Sequence, residues 1–126
     1  MPERDRVAAF VATVEAGRYV EAIEQFYHPD ASMQDNQREP RVGRDRLIAD
    51  ERATMARFAA MHTDPVEDLL IDGDKVMVRW RFVFTPADGD PITMEELALQ
   101  RWDGERIAEE RFFYDPGQTR PAPTVG

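Results

Sequence analysis

The stretch Thr93–Asp115, TMEELALQRWDGERIAEERFFYD, reads as two long antiparallel strands folded back at Asp103-Gly104. Asp-Gly suits a two-residue hairpin loop, because Gly takes positive φ without the clash a Cβ would bring. Side chains alternate between the faces of a strand. On the outgoing strand Met94, Glu96, Ala98, Gln100 and Trp102 therefore share one face, and Glu95, Leu97, Leu99 and Arg101 the other. On the return strand Ala108, Glu110, Phe112 and Tyr114 oppose Ile107, Glu109, Arg111 and Phe113. Neither face is cleanly polar, whereas a sheet wet on one side alternates apolar-in with polar-out. Both faces are thus expected to be partly covered, one by helices or a partner, the other lining a pocket that holds a few acids.

The hairpin must close onto what precedes it. Val7, Phe10, Val11 and Val14 recur at helical spacing within residues 3–16, and Gly17 is a stop signal. A second helical run, Tyr19–Tyr27, ends at His28-Pro29-Asp30, since the residue before Pro is pushed out of the helical region. Ala31–Asn36 reads as a short strand and Gln37–Val42 as a polar loop. Gly43-Arg44-Asp45 opens the longest helix, to about Ala60, with Leu47, Ile48, Met55, Phe58 and Ala59 as its buried stripe. Lys75–Thr85 is the clearest strand, alternating Val76, Val78, Trp80, Phe82 and Phe84 with Met77, Arg79, Arg81 and Val83. Three helices followed by antiparallel strands is an α+β pattern. Residues 1–115 are expected to form a single domain, and residues 116–126 a loose, flexible C-terminal tail rich in Pro and Gly.

Composition narrows the function. At 126 residues the chain is long enough for one real core. It has no Cys, which excludes disulfides, thiolate metal sites and a cysteine nucleophile. A net charge of −9 works against nucleic acid, whose phosphates need Lys and Arg, and against anionic membrane surfaces. No apolar run reaches spanning length, and the charged start MPERDRVAAF lacks a signal-peptide core, so the cytoplasm is the expected compartment.

Two segments carry a resemblance. FYHPDASMQDNQREPRVGRDRL, residues 26–47, and residues 96–115 of the hairpin resemble the SnoaL-like branch of the NTF2-like superfamily. The shared features are an aromatic pair ending a helix, a "DA" strand, a "GRD" helix start, an aromatic-Asp-Gly turn, an "RI" pair and a final "YD". Their order matches nearly the whole of residues 5–115. The resemblance implies a cone of three N-terminal helices on a curved, mostly antiparallel mixed sheet, often dimerising through the sheet's outer face. The superfamily spans ketosteroid isomerases, polyketide cyclases, dehydratases, epoxide hydrolases and non-catalytic modules, so it does not by itself name an activity. Residue by residue, Asp35 stands where isomerase-like members carry their proton-shuttling base. The two donors of the isomerase oxyanion hole are matched by Phe10 and Ala98, so both are missing and steroid isomerisation by that route is disfavoured.

Asp35, Glu96 and Glu110 are the candidate catalytic set. Several carboxyls facing one apolar cavity cannot all ionise cheaply, which raises at least one and yields an acid–base pair without histidine. Tyr27, Met33, Trp80, Phe82, Gln100, Phe112 and Tyr114 are the candidate ligand contacts, forming low-dielectric walls for an apolar cyclic molecule. The bland alternative keeps the acids as structural fixtures held by Gln100, Tyr114 or an arginine. His28 is expected to contact a helix end and His62 to sit in a surface loop, neither in a metal-ligand spacing. No Gly-rich phosphate loop appears, and neither metal nor cofactor is expected. The reading is therefore a small-molecule pocket, as an acid–base isomerase, cyclase or hydratase or else as a binding module. Leu97, Leu99 and Phe113 on the other face call for a partner, expected to be a second copy.

Overall fold

A computed structural model describes residues 1–119. Helices α1 (Arg4–Glu15), α2 (Tyr19–Phe26) and α3 (Arg44–Ala56) pack on one sheet. Its strands are β1 (Tyr27–Asp35), β2 (Arg41–Val42), β3 (Ala60–Thr63), β4 (Leu69–Asp72), β5 (Lys75–Thr85), β6 (Ile92–Asp103) and β7 (Arg106–Phe113). The order is β2-β1-β7-β6-β5-β3, with β4 also on β5. All pairs are antiparallel except β1 with β7. That parallel contact makes the sheet mixed and brings Asp35 level with Phe112. The result is the NTF2-like α+β cone. No described helix is long and apolar enough to cross a membrane.

The core follows from the helical stripes. Val7, Phe10, Val11 and Val14 of α1 are buried, as are Tyr19, Ala22, Ile23 and Phe26 of α2. Phe10 sits edge-on to four rings, Phe26, Tyr27, Trp80 and Trp102, at centroid distances of 5.5–6.1 Å. Such contacts add about 0.5–1.5 kcal/mol each beyond area burial. Arg6 closes the α2 end, donating to the Gln25 carbonyl at 2.7 Å with its guanidinium 4.1 Å from the Phe26 ring.

Several elements differ from their sequence reading, each for a local reason. The hairpin loop is Gly104-Glu105 rather than Asp103-Gly104, because Asp103 still pairs with Arg106 and the positive φ (62°) falls at Gly104. The register then slips between Arg101 and Trp102, which oppose Glu109 and Ile107, so Ala108 is an extra residue. This bulge turns Ile107 inward, fully buried, onto the face that Glu110 shares. Strand β1 begins at Tyr27, directly at the end of α2, and reads straight through His28-Pro29. Pro29 is tolerated because it lies where the β1–β7 register is broken, between Tyr27 and Ser32. His28 consequently meets the hairpin turn, not a helix end, with Nε2 3.0 Å from the Asp103 carbonyl.

Helix α3 stops at Ala56, and Ala60–Thr63 forms β3 on the edge of β5, so His62 lies on a strand. Of the expected α3 stripe only Leu47 is buried, while Met55 and Ala59 are exposed. The expected loop 37–42 contains the short strand β2. The tail expected from Pro116 opens with a 3-10 turn, Pro116–Thr119, where Gln118 bridges the Glu95 backbone at 2.9 Å on both N–H and carbonyl. Residues 120–126 of that expectation lie outside the described residues.

Candidate functional site

Between the helices and the sheet's inner face lies a cavity of about 490 Å³. Strand β5 supplies Trp80, Phe82 and Phe84, and their rings run in a row with Phe58: Trp80–Phe82 at 5.7 Å, Phe82–Phe84 at 6.1 Å, Phe58–Phe84 at 5.0 Å. Phe112 and Tyr114 line it from β7 and the residues just after, and Tyr27 and Met33 from β1. Asp35, Glu96 and Glu110 all face this one space. Gln100 does not. It lies fully buried and makes its contacts behind Glu110.

Glu110 is the fixed member of the set. Its Oε1 accepts the Tyr27 phenol and its Oε2 accepts Gln100 Nε2 at 2.6 Å. Trp102 Nε1 donates to Gln100 Oε1 at 2.9 Å, which locks the amide so that its N–H2 points at Glu110. Both carboxylate oxygens are thereby occupied by donors. Burial pushes Glu110 up to about 7, while the Gln100 and Tyr27 bonds pull the other way. Burial first, and then the Glu110 charge, drives the Tyr27 phenol well above its ordinary value, so it stays a donor. Trp102→Phe removes the N–H that holds Gln100 and leaves a buried acceptor unmet. We expect a loss of about 1–3 kcal/mol in urea denaturation.

Glu96 is different. It is 7% exposed, sits beside Trp80 in the β5–β6 register, and no described residue hydrogen-bonds its carboxyl. Burial is the main reason it is raised to about 8, with Glu110, Asp35 and Glu51 adding repulsion. At neutral pH it therefore holds its proton. Of the two buried glutamates it is the one raised further, and the one whose oxygens no described donor occupies.

Asp35 lies toward solvent, its side chain 28% exposed. Arg41 Nη2 is 3.2 Å from one oxygen and the Tyr114 phenol donates to the other at 3.3 Å. Arg41 also reaches Asp50 at 3.1 Å, so one guanidinium bridges two carboxylates at the cavity's open side. Apolar periodicity in the sequence does not identify Arg41, Asp50, Glu51 or Thr54 as cavity residues. A usable signal exists along α3 and the turn after it, where Leu47, Glu51, Thr54 and Phe58 repeat at 4, 3 and 4 residues and all line the cavity. Burial raises Glu51, opposed by Arg41. None exists for Arg41, which lies in a polar stretch. Arg79 and Arg81 point away as expected, Arg79 pairing with Asp68 and Glu95, Arg81 with Asp64. Phe10 and Ala98 are both buried and apolar, so neither supplies a hydrogen-bond donor.

A family model for the SnoaL-like domain matches residues 7–110. Among solved structures, a Mesorhizobium loti protein described as a candidate SnoaL-like polyketide cyclase shares 23% identity, covering 90% of this chain and 100% of that one, with a TM-score of 0.75. A Catenulispora acidiphila protein with a ketosteroid isomerase-like fold, solved with trimethylamine, shares 19% over 91% and 88% at 0.76. An LEH-like epoxide hydrolase of M. tuberculosis shares 14% over 88% and 80% at 0.70. At these identities the structures attest the fold alone. No curated protein matches the chain. With the family model spanning most of the sequence, the chain belongs to the SnoaL-like domain family.

Proposed function

We propose that this protein binds an apolar cyclic small molecule in its cone and acts on it by acid–base chemistry without a cofactor. The observation that carries this reading is three carboxyls in three different environments on one aromatic-walled cavity. Asp35, reached by two donors and solvent, is the base. Glu96, desolvated and unpaired, is the acid. Glu110 is the pinned carboxyl that orients Tyr27 toward the same space. The reaction class is proton abstraction next to a carbonyl, or a cyclisation or hydration started that way. The absence of Cys argues against a thiol acyl-enzyme. The C. acidiphila protein of this fold was solved in complex with trimethylamine, which supports a small-molecule role for the fold.

A thermal-shift screen tests this. A ligand at a hundred times its Kd adds about 2.7 kcal/mol of stability. Uncharged or cationic cyclic compounds are expected to stabilise the protein, because an anion would add repulsion to desolvation. Stabilisation by anions or divalent metals alone would refute the reading. One observation favours a purely binding role: Asp35 is already ion-paired to Arg41, as a structural carboxylate would be.

We also propose a homodimer through the sheet's outer face. Leu97 is 41% exposed there, with Leu99, Phe113 and Val83 half-buried beside it. The pairs Arg79–Glu95 and Arg101–Glu109 flank these side chains. Sedimentation at micromolar concentration is expected to give twice the chain mass, and a strict monomer would end the proposal.

A further inference from the structure

The cavity contains more negative than positive groups. Asp35, Asp50, Glu51, Glu96 and Glu110 line it against Arg41 and Arg57. Arg41 pairs through its two terminal nitrogens with Asp35 and Asp50, and its Nε is buried without a partner among the described residues. Arg57 is exposed, its guanidinium over the Phe58 ring at 5.7 Å. Neither hydrogen-bonds Glu51, Glu96 or Glu110, and Arg41 acts on Glu51 and Glu110 through its charge alone. Glu96 is left more than nine-tenths buried and unpartnered, facing the cavity beside the indole of Trp80. Trp80 begins the row of stacked rings that ends at Phe58.

From this geometry we infer that the ligand carries a basic nitrogen, seated as an ammonium on the Glu96 carboxylate with its ring system along the Trp80–Phe82 wall. The inference rests on the proposed small-molecule pocket and names the ligand's class; in this complex Glu96 has passed its proton to the nitrogen or to solvent and serves as the counter-ion, so its acid role belongs to ligands without a basic nitrogen. Three physical demands meet in one group. A buried carboxylate without a donor needs a counter-charge and an N–H, and an ammonium brings both. Aromatic faces attract cations through the ring quadrupole, most strongly where water is excluded. A neutral carbonyl has no hydrogen to donate to a carboxylate; it can only accept from the protonated acid and brings no counter-charge. A cation also relieves the repulsion from Glu110 on β7, Asp35 on β1 and Glu51 on α3, which together with burial raise Glu96. The nearby phenols, Tyr27 and Tyr114, are both raised and stay neutral. The proton balance is simple. A free amine takes the Glu96 proton, the O–H bond breaking as the N–H bond forms. An amine that arrives protonated displaces that proton to solvent.

The test uses three probes with one ring framework: 4-phenylpiperidine, 4-phenylcyclohexanone and 4-phenylcyclohexanecarboxylate, titrated calorimetrically at pH 7. The amine is expected to bind at least about tenfold tighter than the ketone, and the carboxylate not at all. Repeating the amine titration in phosphate and in Tris should show close to one proton released per amine bound. Glu96→Gln should abolish that release, weaken the amine at least about tenfold and leave the ketone within about threefold. If the ketone binds as tightly as the amine in both proteins, the ammonium assignment falls and the small-molecule pocket stands. Tight amine binding with no proton release and no effect of the variant would also overturn it, by placing the nitrogen elsewhere. If no probe binds, this assignment and the pocket reading fall together.

Discussion

Glu96→Gln is expected to stabilise the protein by several kcal/mol at pH 9 relative to its effect at pH 4. The folded carboxyl is raised to about 8 against an ordinary 4.5, chiefly by burial. Below 4.5 it is protonated in both folded and unfolded chains and contributes no pH dependence. Between 4.5 and 8 the unfolded chain releases the proton while the folded one keeps it. The unfolded state then binds fewer protons, so stability falls as pH rises through this window and levels off above it. At about 1.4 kcal/mol per pH unit, the loss is on the order of 3–5 kcal/mol, an upper range because Glu110 and Glu96 titrate together. Glutamine has no proton to lose, so the variant should lack this decline. Urea denaturation at pH 4, 6, 8 and 9 on both proteins measures it, and parallel pH curves would refute the buried, protonated Glu96. Glu110→Gln should flatten the decline too, since burial raises that carboxyl to about 7, but it sets an amide N–H2 against a donor from Tyr27 or Gln100 and is expected to be clearly destabilising at pH 4.

The contrast between those two residues marks what the sequence reveals. Alternation alone places Glu96 and Glu110 inward, because β6 runs regularly from Ile92 to Arg101 and β7 is regular again from Glu109 onward, past its bulge. It says nothing of Gln100's side-chain partners, so Gln100 reads as a wall residue when it is the support behind one. Strand β5 is legible to its ends, Lys75–Thr85, since one face is wholly apolar and the other carries arginines. The bulge at Ala108 has no residue signature, and Ile107 is therefore misplaced by one phase. Helix α3 misleads for a different reason: it faces a cavity, not solid core, so its inner stripe contains Glu51 and Thr54 where apolar residues are sought. Strand β3, AMHT, has little β-branching and is made by pairing with β5, a tertiary cause. Arg41 is out of reach altogether. It meets Asp35 because the two-residue strand β2 pairs back on β1 at Ser32 and Met33.

That Arg41 bridge decides how the second large effect must be measured. Asp35→Asn keeps the side chain's shape and removes the group proposed as base, so on a verified substrate kcat is expected to fall by about 10²–10⁴ with KM changed little. Stability should hardly move. The Arg41–Asp35 pair is partly exposed, and Arg41 retains Asp50, so a cost of about 0–1 kcal/mol is expected. A drop in turnover could also arise indirectly, through a displaced Arg41. Asp50→Asn separates the two causes, because Asp50 holds the same guanidinium at 3.1 Å without the Tyr114 contact. If Asp35 takes the substrate proton, its variant must lose at least about tenfold more activity than the Asp50 variant. Equal losses in the two variants would make Asp35 a positioning residue for Arg41. Undiminished turnover in Asp35→Asn would remove it from the chemistry and leave the proton exchange to the buried pair Glu96 and Glu110.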